Sequence, residues 1–244
     1  MNVQRLALIV SQAALGGLAL CAVSAGYFGR TLAGGSPVAE WLEGARTATL
    51  TVALVVPIAL VVGLTVGALS ALGPPVFDSL LSRAMEVASG MPSVVVAVVL
   101  SRIVETRWLA IASTLALLRG LETAKVIRAR LTTLDATEFV VAVRALGAGE
   151  VRLFHKHLLP HVIGSALASA TLTAAAVMAL EAALSFLGLG SFGPSWGAIL
   201  GRSVSAGTPA LATGAVLGTA ITLLSLYVVG RRLDARESVG RSFI

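Results

Sequence analysis

The chain has 244 residues, of which 57% are hydrophobic and only 12% charged, and its mean hydropathy is +0.93. Soluble domains carry about 25% charged residues, so this composition excludes an ordinary soluble protein and indicates a membrane protein. The net charge of +6 would also suit a nucleic-acid-binding protein, but the basic residues are not interleaved with aromatic ones. We therefore expect membrane lipid, and no nucleic acid, as a partner.

Six apolar segments are predicted to cross the membrane as α-helices, since a crossing needs about 20 mostly apolar residues. Gly63 and Gly67, and likewise Gly214 and Gly218, are spaced as in closely packed membrane helices. The predicted fold class is an all-α polytopic membrane protein of about six transmembrane helices, forming one domain over residues 1–244. In chain order the predicted spans are 6–28, 48–72, 84–101, 108–120, 160–187 and 209–230.

Both ends of the chain are predicted to face the cytoplasm. Most Lys and Arg residues then lie on the cytoplasmic side, including Arg231 and Arg232 after the last span, as the positive-inside rule requires. Arg5 and the apolar stretch after it resemble a signal peptide, but a six-span protein needs no cleavage to insert, so we expect this segment to stay. The basic segment 119–130 is predicted to be a solvated cytoplasmic helix near anionic headgroups.

A polar segment, Glu138–Pro160, separates the fourth and fifth predicted spans. It predicts two short helical pieces joined by a turn at Gly147-Ala148-Gly149, because glycine supplies the backbone freedom for a bend. Pro160 suits the first turn of the next helix, where no amide hydrogen is needed. We call residues 138–160 the elbow. Apolar residues at helical spacing lie on each piece: Ala142, Ala145 and Leu146 on the first, and Val151, Phe154, Leu158 and Leu159 on the second.

The elbow resembles the EAA coupling loop of ABC-transporter permeases, whose pattern is E-A-A-x3-G-x9-I-x-L-P. Ala142, Gly147, Leu159 and Pro160 match it at the same spacing, while Val141 and Val143 replace the glutamate and the second alanine. The ending His157-Leu158-Leu159-Pro160 resembles the H-I-L-P of the dipeptide/oligopeptide/nickel branch. By this resemblance, the residues that couple the chain to an ATPase are Glu138, Ala142, Arg144, Ala145, Gly147, His157, Leu159 and Pro160.

Residues 180–190, LEAALSFLGLG, and 194–197, PSWG, resemble the same branch. The resemblance implies the permease subunit of an ATP-driven importer in a bacterial inner membrane, carrying peptides, a related small solute or nickel. The implied partners are a second homologous permease, two ATPase subunits and an extracytoplasmic substrate-binding protein. ATP and Mg would bind to the ATPase subunits, and no cofactor to this chain.

Two glutamates lie inside predicted spans, where ionisable residues are costly and usually face the bundle interior. Glu181 precedes the end of the fifth span and is predicted either to gate the pathway or to make a structural hydrogen bond to a neighbouring span. Glu86 lies six residues before Pro92, which is expected to kink the third span. Arg83 is placed to pair with Glu86 along the helix.

Several motifs are excluded as sites of chemistry. Gly188–Gly193 matches G-x-G-x-x-G, but a dinucleotide site needs a preceding strand, and a long apolar helix precedes it here. We expect these glycines to end the fifth span, and residues 194–197 to form a turn with Trp196 at headgroup level. The three histidines of 155–161 have no acidic or thiol ligand nearby, so no metal site is predicted. No P-loop motif and no catalytic residues are found.

Two other functions stay open at this level. An ion-coupled secondary carrier would need ionisable groups near the midplane and usually inverted repeats. Glu181 is the one deep candidate, and no repeat is evident. A divergent paralogue that acts as a membrane scaffold without transporting is the second alternative, because Val141 and Val143 depart from the coupling pattern.

Overall fold

A computed structural model describes residues 37–190 and 193–240, and the first predicted span, 6–28, lies outside them. The regular structure of these residues is helical throughout, with no strand among them. The helices are α1 Pro37–Leu72, α2 Pro75–Gly90, α3 Ser93–Ile103, α4 Arg107–Asp135, α5 Glu138–Ala145, α6 Glu150–Leu153, α7 Leu159–Phe186, α8 Trp196–Ala206 and α9 Pro209–Gly240, with a π-helical turn at Phe154–Leu158 between α6 and α7.

Three helical segments of the described chain are long and apolar enough to cross a membrane: Val38–Leu72, Phe154–Phe186 and Pro209–Leu233. Each is longer than the roughly 20 residues that a bilayer requires. The α2–α3 pair passes the same test as a fourth segment, but it is bent by 94° between Gly90 and Ser93, where Pro92 is expected to break the helix. The fold is therefore that of an all-α polytopic membrane protein, as the composition predicts.

The six individual spans stay predictions. Segments 48–72, 160–187 and 209–230 coincide closely with the three long apolar helical segments, whereas 84–101 runs across the bend between α2 and α3. Segment 108–120 is the first half of α4, whose second half is charged. The structure therefore gives the fourth predicted span a longer helix than hydropathy alone suggests.

The chain forms two compact units, and the first comprises the described residues of 37–56, 93–115 and 171–229. Its core contains Met178, Trp196 and Ile199, all buried. The Trp196 indole N–H donates to the carbonyl oxygen of Trp41 at 3.0 Å, and the Trp41 indole N–H donates to that of Gly214 at 2.9 Å. Trp196 is 3% exposed and begins α8, so the turn predicted for residues 194–197 ends before it, and its level at the headgroups stays a prediction.

The second unit comprises residues 57–92 and 116–170 together with the chain from Gly230. Close contact between α1 and α4 depends on glycine. A Cβ on Gly63 would lie 2.6 Å from Thr123 Cγ2, and one on Gly120 would lie 2.7 Å from Val62 Cγ1. Since carbon atoms prefer separations of about 3.5–4.0 Å, neither position accepts a side chain without a shift. The small-residue spacing noted at Gly63 and Gly67 therefore marks a real helix contact.

Residues 119–130 are packed on one side rather than solvated all round, which corrects the prediction for this segment. Thr123, Ala124 and Ile127 are buried. Arg128 instead forms a two-pronged ion pair, donating from Nε to Asp78 Oδ1 at 2.9 Å and from a terminal nitrogen to Oδ2 at 3.1 Å. Ser70 donates to the same carboxylate at 2.8 Å. This network fastens α2 to α4 and to the end of α1.

Candidate functional site: the elbow at residues 138–160

The elbow consists of α5, a glycine turn, α6 and the π-helical turn. Gly147 has φ +83°, a left-handed conformation that glycine adopts without steric cost. The Gly147 N–H donates to the carbonyl oxygen of Arg144 at 2.9 Å, and the Ala148 N–H donates to that of Val143 at 3.4 Å. These two bonds are the Schellman pattern that closes a helix. The bend predicted at Gly147 is therefore present, and its need for glycine is conformational, since an added Cβ there would meet nothing within 4 Å.

One side of the elbow is anchored in the core of the second unit. Val140, Leu153 and Leu158 are each 1% exposed or less and pack with Ile127 and Leu131. Fully burying a side chain of this kind stabilises a structure by about 1.5–3 kcal/mol relative to leaving it exposed. These three side chains belong to α5, α6 and the π-helical turn, so each helical part of the elbow is packed against the core.

The other side of α5 is apolar and exposed. Phe139 is 52%, Val141 58% and Leu146 87% exposed, and Ala142 and Ala145 are exposed beside them. The apolar side predicted at Ala142, Ala145 and Leu146 therefore points away from the core of its own unit. A helix of eight residues that leaves large apolar side chains uncovered offers a surface that a protein partner or lipid can cover.

The junction of the elbow with α7 is a π-helical turn, Phe154–Leu158. It lies directly before Pro160, whose ring in a regular helix would clash with the carbonyl group four residues earlier, that of Lys156. The wider turn accommodates the proline. His157 contacts Phe139 edge to face, with 5.7 Å between ring centroids, so the junction also touches α5. Leu159 is half-buried and Pro160 exposed.

Arg144 makes three hydrogen bonds with carboxylates of the elbow and of α4. One terminal nitrogen donates to Asp135 Oδ1 at 2.7 Å and to Glu150 Oε2 at 3.1 Å, while Nε donates to Glu150 Oε1 at 2.9 Å. The hydrogen bonds with Glu150 and Asp135 raise the pKa of Arg144 above its usual range, so the guanidinium stays charged. Glu138, the other candidate polar residue, is exposed.

Glu181 belongs to the first unit and is 3% exposed. Ser185, one helical turn later, donates to its Oε1 at 2.6 Å, and the Ser195 hydroxyl is a second hydrogen-bonding partner. Ser195 also caps α8, accepting from the Ala198 N–H at 3.3 Å. Glu181 therefore connects the last turns of α7 with the start of α8. Neither partner lies in another predicted span, and the choice between a gating and a structural role stays a prediction.

Glu86 has a different environment from the one predicted. It is exposed on α2, and within the described residues it makes no ion pair with Arg83, although it lies close enough to Arg128 for their charges to attract. Nor do the described residues contain a group of three His, Cys, Asp or Glu side chains placed to hold a metal ion.

Over residues 59–238 the chain matches the family of binding-protein-dependent transport system inner membrane components. The chain belongs to this family. The matched range contains the whole elbow and also the Glu181–Ser195 connection.

Several proteins similar to this chain have been named for peptide transport. A Brucella ovis protein named a peptide permease protein is 36% identical over 181 residues, covering 73% of this chain and 60% of the relative. A Brucella suis protein named a peptide transport system permease protein is 31% identical over 183 residues, covering 70% and 62%. The Bacillus subtilis oligopeptide transport system permease protein OppC is 30% identical over 176 residues, covering 71% and 56%. The chain thus spans about 60% of the length of the curated relatives it matches.

Sequence reasoning missed several residues that shape the site in this family member. Asp135 and Glu150 hold Arg144, and Ser185 and Ser195 hold Glu181. Asp135 lies nine residues and Glu150 six residues from Arg144, and Ser185 lies four residues from Glu181. These spacings carry only a weak signal in the sequence. Only the four-residue spacing is a regular helical neighbour distance.

Proposed function

We propose that the chain is the membrane-spanning permease subunit of an ATP-driven, binding-protein-dependent importer, carrying peptides or a related small solute. The observation that carries the proposal is the elbow, a core-anchored helix pair whose α5 presents an exposed apolar face. Support comes from the family match over residues 59–238 and from relatives named as peptide and oligopeptide permeases. Nickel is the other cargo that the branch resemblance implies.

The partners of this subunit would be a second homologous permease, two ATPase subunits that bind ATP and Mg, and an extracytoplasmic binding protein that delivers the solute. The chain itself would bind no cofactor and catalyse no reaction. It would lie in a bacterial inner membrane with about six spans and both termini in the cytoplasm, which places the elbow on the side of the ATPases.

Coupling would proceed through the exposed face of α5. Ala142 and Ala145 are small, so a partner helix or cleft can approach the backbone closely, and Leu146, 87% exposed, supplies a large apolar contact. Glu138 is free to make a polar contact at the start of α5. Because the elbow is anchored by buried side chains, a displacement of α5 moves the spans attached to it as packed units.

The remaining coupling candidates have roles in holding the elbow in shape. Gly147 closes α5 and allows the bend. His157 contacts α5 through Phe139, and Leu159 and Pro160 begin the long helix α7. Together they would deliver the motion of α5 to α7. Glu181 would act on assembly or gating by holding α8 against α7, rather than by contacting the solute.

The test is transport by the reconstituted complex. The chain is co-expressed with the second permease and the ATPases, placed in proteoliposomes, and supplied with binding protein and a radiolabelled oligopeptide mixture. We expect uptake that requires ATP and is unaffected by collapsing the proton gradient. Uptake driven by a proton or sodium gradient without ATP would identify an ion-coupled carrier. Absence of uptake of both the oligopeptide mixture and radiolabelled nickel, with every partner present, would contradict the proposal and favour a non-transporting scaffold.

A further inference from the structure

Arg144 joins three consecutive segments of the chain through one guanidinium. Asp135 is the last residue of α4, Arg144 lies in the last turn of α5, and Glu150 is the first residue of α6. The three hydrogen bonds measure 2.7, 2.9 and 3.1 Å, and the pair with Glu150 is two-pronged, which fixes orientation as well as distance.

The covalent connections between these segments are short and irregular. Residues 136 and 137 link α4 to α5, and residues 146–149 link α5 to α6 with Gly147 at positive φ. Such element-terminal residues are where a hinge absorbs changes of φ and ψ. Arg144 bridges both connections at once, so it restricts rotation at each of them.

We propose that Arg144 is a positioning residue that locks the elbow to α4, so that a push on α5 is transmitted into α4 as well as into α7. The proposal rests on the proposed coupling function of the elbow. It assigns Arg144 to contacts inside the chain, in place of the contact with an ATPase that the family resemblance implies.

The contacts favour the internal role. Two of the three guanidinium nitrogens are engaged by carboxylates of the chain itself, and the side chain is 35% exposed. Arg152, on α6 in the same elbow, is exposed and has no ion pair within the described part of the chain. It serves as the matched control, because it has the same charge in the same segment without the clamp.

The first measurement tests the clamp without depending on transport. Cys21 is replaced by serine, and spin labels are attached at T132C on α4 and L146C after α5, both exposed positions. In the reconstituted complex we expect a narrow distance distribution for the otherwise native chain and for Arg152→Gln, and a broadened one for Arg144→Gln. Equal widths for Arg144→Gln and Arg152→Gln would overturn the proposal.

The second measurement tests transmission. In unlabelled chains, Arg144→Gln should retain the ATPase subunits on co-purification and lose most solute uptake per ATP hydrolysed. Arg144→Lys should recover part of that uptake, since a lysine ammonium reaches one carboxylate but cannot bind both at once. Loss of ATPase co-purification with a distance distribution that stays narrow would mean that Arg144 contacts the partner. Broadening with native uptake per ATP would mean that the clamp does not transmit motion. Failure of ATP-dependent uptake in the native complex would refute the proposed function instead, and the distance measurement would still decide the clamp.

Discussion

Replacing Gly197 by alanine tests how closely α8 is packed on α7. A Cβ at this position would overlap the carbonyl oxygen of Ala182 and lie 2.7 Å from its carbonyl carbon. Carbon atoms prefer about 3.5–4.0 Å, so α8 would have to move away by roughly 0.8 Å or more, and the obstacle is backbone that cannot rotate aside. Overpacking of this kind typically costs about 1–3 kcal/mol, a large fraction of the roughly 5–15 kcal/mol that stabilises a typical fold.

The matched control is Gly214→Ala in the same unit. Its Cβ would lie 3.6 Å from Trp41 Cδ1, an ordinary contact, and alanine in a helix interior is favoured over glycine by about 0.5–1 kcal/mol. Thermal unfolding in mild detergent, followed as loss of the monodisperse peak, should show Gly197→Ala unfolding well below the native chain and Gly214→Ala at or above it. Equal transition temperatures for the two variants would refute the packing argument.

Three further outcomes are expected. Glu181→Gln should leave substrate preference unchanged in competition uptake, because the amide oxygen still accepts from the neighbouring serine; native transport with an altered preference would make Glu181 a specificity residue. Gly147→Val should insert normally yet uncouple ATP hydrolysis from uptake, since a β-branched residue at φ +83° is strained. The control Gly149→Ala, also with free space around its Cβ, should be tolerated. Native uptake in both variants would contradict a role for the bend. A periplasm-only reporter fused after Ile244 should be inactive, and an active fusion would reverse the assumed topology.

The elbow shows how far local sequence patterns reach. Gly147 between two short helical pieces predicts the bend, and the structure places it there because positive φ is a local property that glycine alone adopts freely. The apolar spacing of Ala142, Ala145 and Leu146 is also local, but whether that side faces the core or a partner is not. Val140 and Val143 pack into the core instead. Which side of α5 is buried depends on how α5 packs on α4.

Trp196 shows that a rule on residue type does not predict burial by the protein itself. Tryptophan near the end of a span usually lies at the membrane interface, which is the basis of the headgroup prediction. Here two glycines approach the indole closely. An added Cβ on Gly44 would lie 2.9 Å from Trp196 Nε1, and one on Gly218 would lie 3.0 Å from Trp196 Cε2. Glycines distant in sequence make the space that buries Trp196, and no window of residues around position 196 contains that information.

The fourth predicted span shows a limit of hydropathy. Residues 108–120 are apolar and the next residues are charged, so hydropathy ends the segment near 120. The helix instead continues to Asp135, because Thr123, Ala124 and Ile127 continue a buried stripe while Arg128 finds a partner in Asp78. The apolar segment 108–120 and the helix predicted over 119–130 are therefore one continuous helix, and the Arg128–Asp78 pair holds its charged half against α2.

The most direct test of the central claim is site-directed cross-linking from the elbow to an ATPase. A photoactivatable cross-linker is attached at L146C, a position that is 87% exposed in the native chain, in a chain carrying Cys21→Ser and co-expressed with the ATPase subunits. The control is V204C, 65% exposed on α8, which the proposed topology places on the outer side. We predict an adduct with the ATPase from position 146 and none from position 204. No adduct from position 146 in an assembled complex, or equal adducts from both positions, would contradict the assignment of the elbow as the coupling site.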